Sequence, residues 1–353
     1  MKESNLVMGM NGNASISIDN KQLTNEHLIV TGRSGGGKTY GLKNLIIQRA
    51  NQEMVIIPDT SDSFDSITAV KERKVKVIDV YYEGIGIKPL EPHYFDESHK
   101  EKWADVAMRF SSVMSSIYRL GITQQSFLYQ ALKECVGIEG STNEKLLKVH
   151  KFLSEKGGDS VVNLRAKLEY LTDLHVFSDR DDFANDCFVG GGIVLLKLSH
   201  FPTPVKRLIT ELLLWEIWKK FQVSIEKENR VTIILDECQT LDFSSQAPTT
   251  KILTEGRKFG ISCWLATQFL KGNFSEATIN RLEQADMKLY FRPTENDLKH
   301  VAEILDYPSR KKWVEVLKQL KVGEFVLFAP YRINEKSTAR IPIIIKAESG
   351  VVS

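Results

Sequence analysis

Residues 27–39 read HLIVTGRSGGGKT, and this stretch leaves the chain few folds to choose from. Leu28, Ile29, Val30 and Thr31 are apolar or β-branched and predict a short buried strand. Gly32, Gly35, Gly36 and Gly37 then remove Cβ atoms where the backbone has to curl, with Arg33 and Ser34 between them. Lys38 and Thr39 follow, and residues 40–50 predict a helix. The pattern is G-x-x-x-x-G-K-[ST] with a strand before it and a helix after it, the setting in which it binds phosphate. The N–H groups of residues 35–39 converge at a helix N-terminus, where the peptide dipoles favour negative charge. Lys38 can reach the β and γ phosphates of a nucleotide, and the Thr39 hydroxyl can ligand Mg²⁺. A glycine-rich turn that happens to end in Lys-Thr is the plainer alternative, and the flanking elements weigh against it.

A second stretch asks for the same chemistry. Residues 231–239 run from an apolar strand, VTIIL, into Asp236 and Glu237. An Asp at a strand end can hold a Mg²⁺-bound water, and the adjacent Glu can orient and deprotonate an attacking water. Alone, such an ending is a weak signal. Beside a phosphate loop it points to hydrolysis rather than storage of a nucleotide. Residues 249–260 predict a short helix carrying Arg257 toward its end, and residues 261–268 a strand ending in Thr267 and Gln268. An amide there lies beside the γ-phosphate position and can sense it. Asp59, after a predicted strand over residues 54–57, can touch the Mg²⁺ shell or a neighbouring subunit; a helix N-cap or turn former is the plainer alternative.

At 353 residues the chain calls for one large α/β domain with insertions, or for two domains. Apolar residues in residues 98–180 recur at spacings of three and four, from Trp103 to Leu171, and predict four helices with short connections. The expected division is a core over 1–97, a helical insertion over 98–180 and the rest of the core over 181–353. A hairpin is expected over residues 4–19 with its turn at residues 9–12, a capping box at residues 294–297, and a terminal strand pair at residues 325–328 and 341–345, joined through residues 330–336. His150 and His175 have no ligand partners at metal spacing. The four cysteines lack C-x-x-C spacing and sit in apolar surroundings, which suits reduced thiols and a cytoplasmic setting. No apolar run approaches the roughly 18 residues of a membrane span, and no signal-peptide pattern opens the chain. A net charge of +2 gives no global attraction to nucleic acid, so any such contact has to be local.

Residues 32–39, LDECQ at 235–239, EGRKFG at 255–260 and LATQ at 265–268 together resemble the HerA/FtsK superfamily of DNA-pumping ATPases, close to HerA and the VirB4-type conjugation ATPases. The resemblance covers nearly the whole chain. It implies a RecA-like α/β core with a mainly parallel central sheet and an inserted helical subdomain, ATP and Mg²⁺ as ligands, and a homohexamer binding ATP between subunits. On that resemblance Gly32, Arg33, Ser34, Gly35, Gly36, Gly37, Lys38, Thr39 and Tyr40 contact the nucleotide, Thr39 and Asp236 serve the metal, Glu237 is the base and Gln268 the sensor. Arg257 matches the arginine finger acting on a neighbouring subunit; its plain alternative is a surface ion pair with Glu255. Arg281, Arg292 and Arg340 are runners-up, and Arg340 is counted with the residues that contact the nucleotide across an interface. The small N-terminal barrel of archaeal HerA is not encoded, which puts in doubt docking of a NurA-type nuclease by that route.

Two functions are open on the sequence. One is a hexameric translocase or helicase moving DNA, duplex favoured, in DNA processing, antiviral defence or transfer of a mobile element. The other is an ATP-dependent ring scaffold that regulates a partner nuclease or effector. Residues 242–250 and 271–273 are the candidate loops for meeting DNA; neither has the basic-aromatic interleaving of a dedicated nucleic-acid surface, and ordinary surface loops are the favoured alternative.

Overall fold

The computed structural model describes residues 5–69, 74–96, 98–156, 158–223, 229–334, 336–337 and 340–347. A hairpin of β1 (Val7–Asn11) and β2 (Ala14–Ile18) leads into β3 (Leu28–Thr31), the phosphate loop and α1 (Lys38–Arg49). Next come β4 (Met54–Asp59), β5 (Val75–Asp79) and the single turn α2 (Val80–Glu83). Four helices follow before the sheet resumes: α3 (Trp103–Tyr118), α4 (Ile122–Cys135), α5 (Thr142–Ser154) and α6 (Asp159–Asp173). The chain returns through β6 (Gly192–Lys197), α7 (Thr203–Val223), β7 (Val231–Leu235), α8 (Pro248–Glu255) and β8 (Ile261–Thr267). It closes with α9 (Glu276–Leu282), β9 (Met287–Phe291), α10 (Glu295–Leu305), α11 (Arg310–Gln319), β10 (Glu324–Phe328), β11 (Tyr331–Ile333), β12 (Lys336–Ser337) and β13 (Ile343–Lys346).

The strands form one sheet in the order β12-β11-β2-β1-β13-β10-β9-β3-β8-β7-β4-β6-β5. Pairing is parallel from β9 through β5 and antiparallel from β10 through β12. The parallel strands read as unbroken apolar runs because helices cover both of their faces: every residue of β3, β4, β7 and β8 is buried. Alternate side chains go to opposite faces. Leu28, Val30, Trp264 and Ala266 pack with Leu42 and Ile46 of α1. Ile29, Cys263 and Leu265 face the other way, in a core continuous with α7 and the four-helix insertion.

Three expectations need correction. The hairpin, whose expected first residue lies outside the described residues, turns after Asn11 rather than at residues 9–12. Gly9 is instead part of a bulge in β1; its φ is +135°, and a Cβ there would lie 2.3 Å from the Lys346 carbonyl oxygen. The capping box at Thr294 does not form, because Asp297 accepts from Leu270 N at 3.0 Å and Lys271 N at 2.8 Å. The expected connection through residues 330–336 contains strand β11, which pairs with β2 and extends the sheet beyond the hairpin.

Candidate active site

In a parallel sheet the loops after the strands gather at one edge. Here β3, β8 and β7 are neighbours, so the phosphate loop, Gln268 and the Asp236-Glu237 pair emerge side by side. The loop is braced from behind by the end of the chain's C-terminal third. Arg33 N donates to Arg292 O at 2.9 Å, and Gly323 N donates to Gly36 O at 3.1 Å. Two glycines are required by this bracing. A Cβ on Gly32 would lie 2.6 Å from Phe291 Cβ, and one on Gly37 2.9 Å from Gly323 N, at φ values of +147° and +98°.

Lys38 folds over the loop, its Nζ donating to Gly32 O at 2.6 Å and to Arg33 O at 3.1 Å. Burial pushes its ammonium pKa down, and the nearby charges of Asp236 and Glu237 oppose that shift. Arg33, Ser34 and Gly35 are exposed along the loop, as is Tyr40 in the first turn of α1. The loop thus presents an open rim backed by a buried cation, which suits an anion.

Asp236 is pushed up to about 6, first by burial, with the Glu237 charge adding to it; the Glu237 N–H and Lys38 oppose. Its Oδ1 accepts from Glu237 N at 2.9 Å, and its Oδ2 has no hydrogen-bond partner among the described residues. The Thr39 hydroxyl likewise makes no hydrogen bond among them. Two hard oxygens without protein partners, one hydroxyl and one carboxylate, fit Mg²⁺. Asp59 is a turn former: Ser61 N and Ser63 N donate to its Oδ1 and Phe64 N to its Oδ2.

Glu237 sits in the left-handed region, at φ 51° and ψ 41°, where a residue other than glycine is strained. Both of its carboxylate oxygens are held by amides. Gln268 Nε2 donates to Oε1 at 2.7 Å, and Gln239 Nε2 donates to Oε2. Gln239 was not among the residues expected from the sequence. Its signal would have been the reversal of the chain at Glu237, which brings the side chain two positions on back over the carboxylate; strand spacing alone points it elsewhere. A cavity of about 220 Å³ is lined by Glu237 together with Asp236, Thr60, Lys206, Arg207 and Thr210.

The arginines do not join this edge in the same chain. Arg257 lies in a turn just before β8 and is exposed, with no side-chain partner among the described residues. Glu255 pairs with Lys258 at 3.5 Å instead of with Arg257. Arg340 donates to Asp286 Oδ1 at 2.9 Å and to Asp286 O at 2.8 Å, next to the start of β9. Both lie where parallel strands begin, and the seven residues of β8 put that edge about 23 Å from Gln268. A nucleotide contact by either arginine has to be made to a second copy of the chain. Arg281 is tied by Nη1 to Phe243 O at 2.8 Å, and Arg292 contributes its backbone carbonyl to the loop.

The loops expected to meet DNA are narrower than the sequence suggests. Within residues 242–250 only Ser244, Ser245 and Gln246 are exposed, because Asp242 is held by Ser116 Oγ at 2.7 Å and Thr249 and Thr250 are buried. Lys271, Gly272 and Asn273 are all exposed. No helix among the described residues is long and apolar enough to cross a membrane.

No protein-family profile and no curated protein sequence matches the chain. Solved structures do. VirB4 of Thermoanaerobacter pseudethanolicus is similar at a TM-score of 0.68 and 17% identity, over 99% of this chain and 98% of that one. The bacterial conjugative coupling protein TrwBdeltaN70, in its unbound monoclinic form, is similar at 0.62 and 14%, over 99% and 89%. Plasmid coupling protein TrwB in complex with ADP and Mg²⁺ matches at 0.52 and 14%, over 93% and 86%. At these identities the likeness is one of fold, and it bears out the α/β architecture and the VirB4-like resemblance: the chain is folded as VirB4 and TrwB are, around a RecA-like P-loop core.

Proposed function

We propose that the chain is an ATP-hydrolysing motor that assembles as a homohexamer and moves DNA, duplex favoured, with each ATP bound between two subunits. The observation that carries the reading is the convergence of Lys38, Glu237 and Gln268 at the ends of three neighbouring strands. Cradle, base and sensor are the parts that phosphoryl transfer to water needs. TrwB, of the same fold, is solved with an ATP analogue and with ADP and Mg²⁺, and is described as a plasmid and a bacterial conjugative coupling protein. That description supports transfer or processing of DNA as the setting, of which a HerA-type role in defence is one form.

The tasks then divide among the residues. The residues 32–39 and Tyr40 hold the phosphates through backbone N–H groups and the rim, and Lys38 leaves its carbonyl contacts for the phosphate oxygens. Thr39 and Asp236 would hold Mg²⁺, which would supply charge neutralisation to the phosphates. Glu237 accepts a proton from water at its carboxylate. Gln268 donates to the γ-phosphate, and Arg257 of one subunit, with Arg340 as the second candidate, reaches the nucleotide of the next.

ATPase rate against duplexes of increasing length tests the reading, with Lys38→Ala as the control that must be inactive. Stimulation that grows with length supports the motor. A rate indifferent to DNA, together with nucleotide-dependent co-assembly of a nuclease or other effector, replaces it with the scaffold.

A further inference from the structure

We propose that Gln239 is a positioning residue for Glu237, holding the carboxylate in place when Gln268 turns to the γ-phosphate; the inference rests on the hydrolytic reading above. The two oxygens of Glu237 accept from two different amides, Gln268 on Oε1 and Gln239 on Oε2. A carboxylate has about four lone-pair positions, so this fork orients the group and leaves positions for water. The two holds are not equivalent. Gln268 is also the group aimed at phosphate, and a γ-phosphate oxygen and the Glu237 carboxylate are both acceptors competing for its N–H groups. Gln239 has no such second task. Its far end rests on the Thr267 hydroxyl, which donates to Gln239 Oε1 at 2.8 Å and shares its proton with Phe269 O at 3.0 Å. With its carbonyl oxygen taken, the amide turns its N–H end to Glu237. Thr267 itself is buried on β8, beside Gln268, so the contact survives motion of the Gln268 side chain. The left-handed backbone at Glu237 is what brings residue 239 back over residue 237.

Three variants of the full chain test this: Gln239→Ala, Gln239→Glu and Thr267→Val. For Gln239→Ala the expected result is a kcat lower by about tenfold or more, with KM for ATP and the affinity for a fluorescent ATP analogue within about twofold, since misplacing a base costs rate rather than binding. Gln239→Glu is expected to be slow at pH 8 and to regain part of its loss as pH falls toward about 6, where a protonated carboxyl donates as the amide did. Thr267→Val frees the amide to flip and is expected to lower kcat by a smaller factor, about threefold. A Gln239→Ala kcat within twofold of wild type overturns the inference, as does a Gln239→Glu pH profile parallel to that of wild type. So does a kcat loss matched by a lower melting temperature and weaker nucleotide binding, which marks a structural role only. A wild-type chain that hydrolyses no ATP overturns the hydrolytic reading and this one with it, whereas wild-type turnover beside an unaffected Gln239→Ala overturns this one alone.

Discussion

Gln268 Nε2 donates to Glu237 Oε1 across 2.7 Å, joining the ends of two adjacent strands through side chains alone. On the proposed roles, the contact couples the group that would read the γ-phosphate to the group that would activate water, and binding and hydrolysis would share one hydrogen bond.

Glu237→Gln is expected to bind ATP and to turn it over at least about 10²-fold more slowly, because an amide cannot take the proton from water. Nucleotide binding and steady-state hydrolysis measured on the same preparation check this. Turnover near the wild-type rate would remove Glu237 from the role of base.

Arg257→Ala is expected to be inactive alone, by a factor of about 10³ if it acts as a finger. Mixed with Glu237→Gln, it should recover part of the activity, since some interfaces then join an intact Arg257 edge to an intact Glu237 edge. The two edges are separated by the length of β8, which is why rescue requires two copies. No recovery at any mixing ratio counts against a contribution from the neighbour.

Gly37→Ala is expected to destabilise the fold by about 1–3 kcal/mol, from a left-handed backbone and a Cβ placed 2.9 Å from Gly323 N. The strain falls on the phosphate loop, so nucleotide affinity should drop with it. Urea unfolding and nucleotide titration report the two effects, and a variant equal to wild type in both would show that the loop can shift freely.

Glu211 carries a pH dependence. Burial lifts its carboxyl from 4.5 to about 8, with the Asp242 charge adding and the Asp242 N–H and Arg207 opposing. It lines a cleft of about 300 Å³ between α3 and α7, where Glu101, Asp105, Arg109, Lys219 and Asp242 are the other ionisable groups. The folded chain therefore keeps a proton that the unfolded chain loses above about pH 4.5. The stabilisation is full below that pH and is lost as pH rises toward 8. In Glu211→Gln the amide still accepts from Asp242 N but does not ionise. Between pH 5 and 8.5 the melting temperature of wild type should fall further than that of the variant; parallel curves would exclude the effect.

How much of this was legible in the sequence depends on the reach of each interaction. The phosphate loop was, because strand, glycines and helix are consecutive and their geometry is local. The four inserted helices were, because a stripe such as Val106, Phe110, Val113 and Ile117 declares its buried face by period. Gly9 was misread as a turn residue because the reason for a glycine there is the Lys346 carbonyl, more than three hundred residues away. Thr294 and Asp297 have capping-box spacing, yet two loop N–H groups at Leu270 and Lys271 claim the carboxylate. Gln239 was hidden by one backbone reversal. In the site, residue types were readable from motif spacing, while the division of labour between two edges of the sheet required the strand order.

The hairpin β1–β2 finds its sheet partners in β13 and β11, more than three hundred residues further along. Met10 pairs with Lys346, and Ile16 with Ile333. During synthesis this hairpin therefore waits, edges unpaired, until β11 and β13 have left the ribosome. The parallel strands are separated from the hairpin by β13 and β10 and can nucleate earlier without it. Such late, distant pairing slows folding and lengthens exposure of strand edges. A chain shortened before residue 343 would keep its phosphate loop and its acidic pair, yet leave the hairpin without the strand that ties it to them.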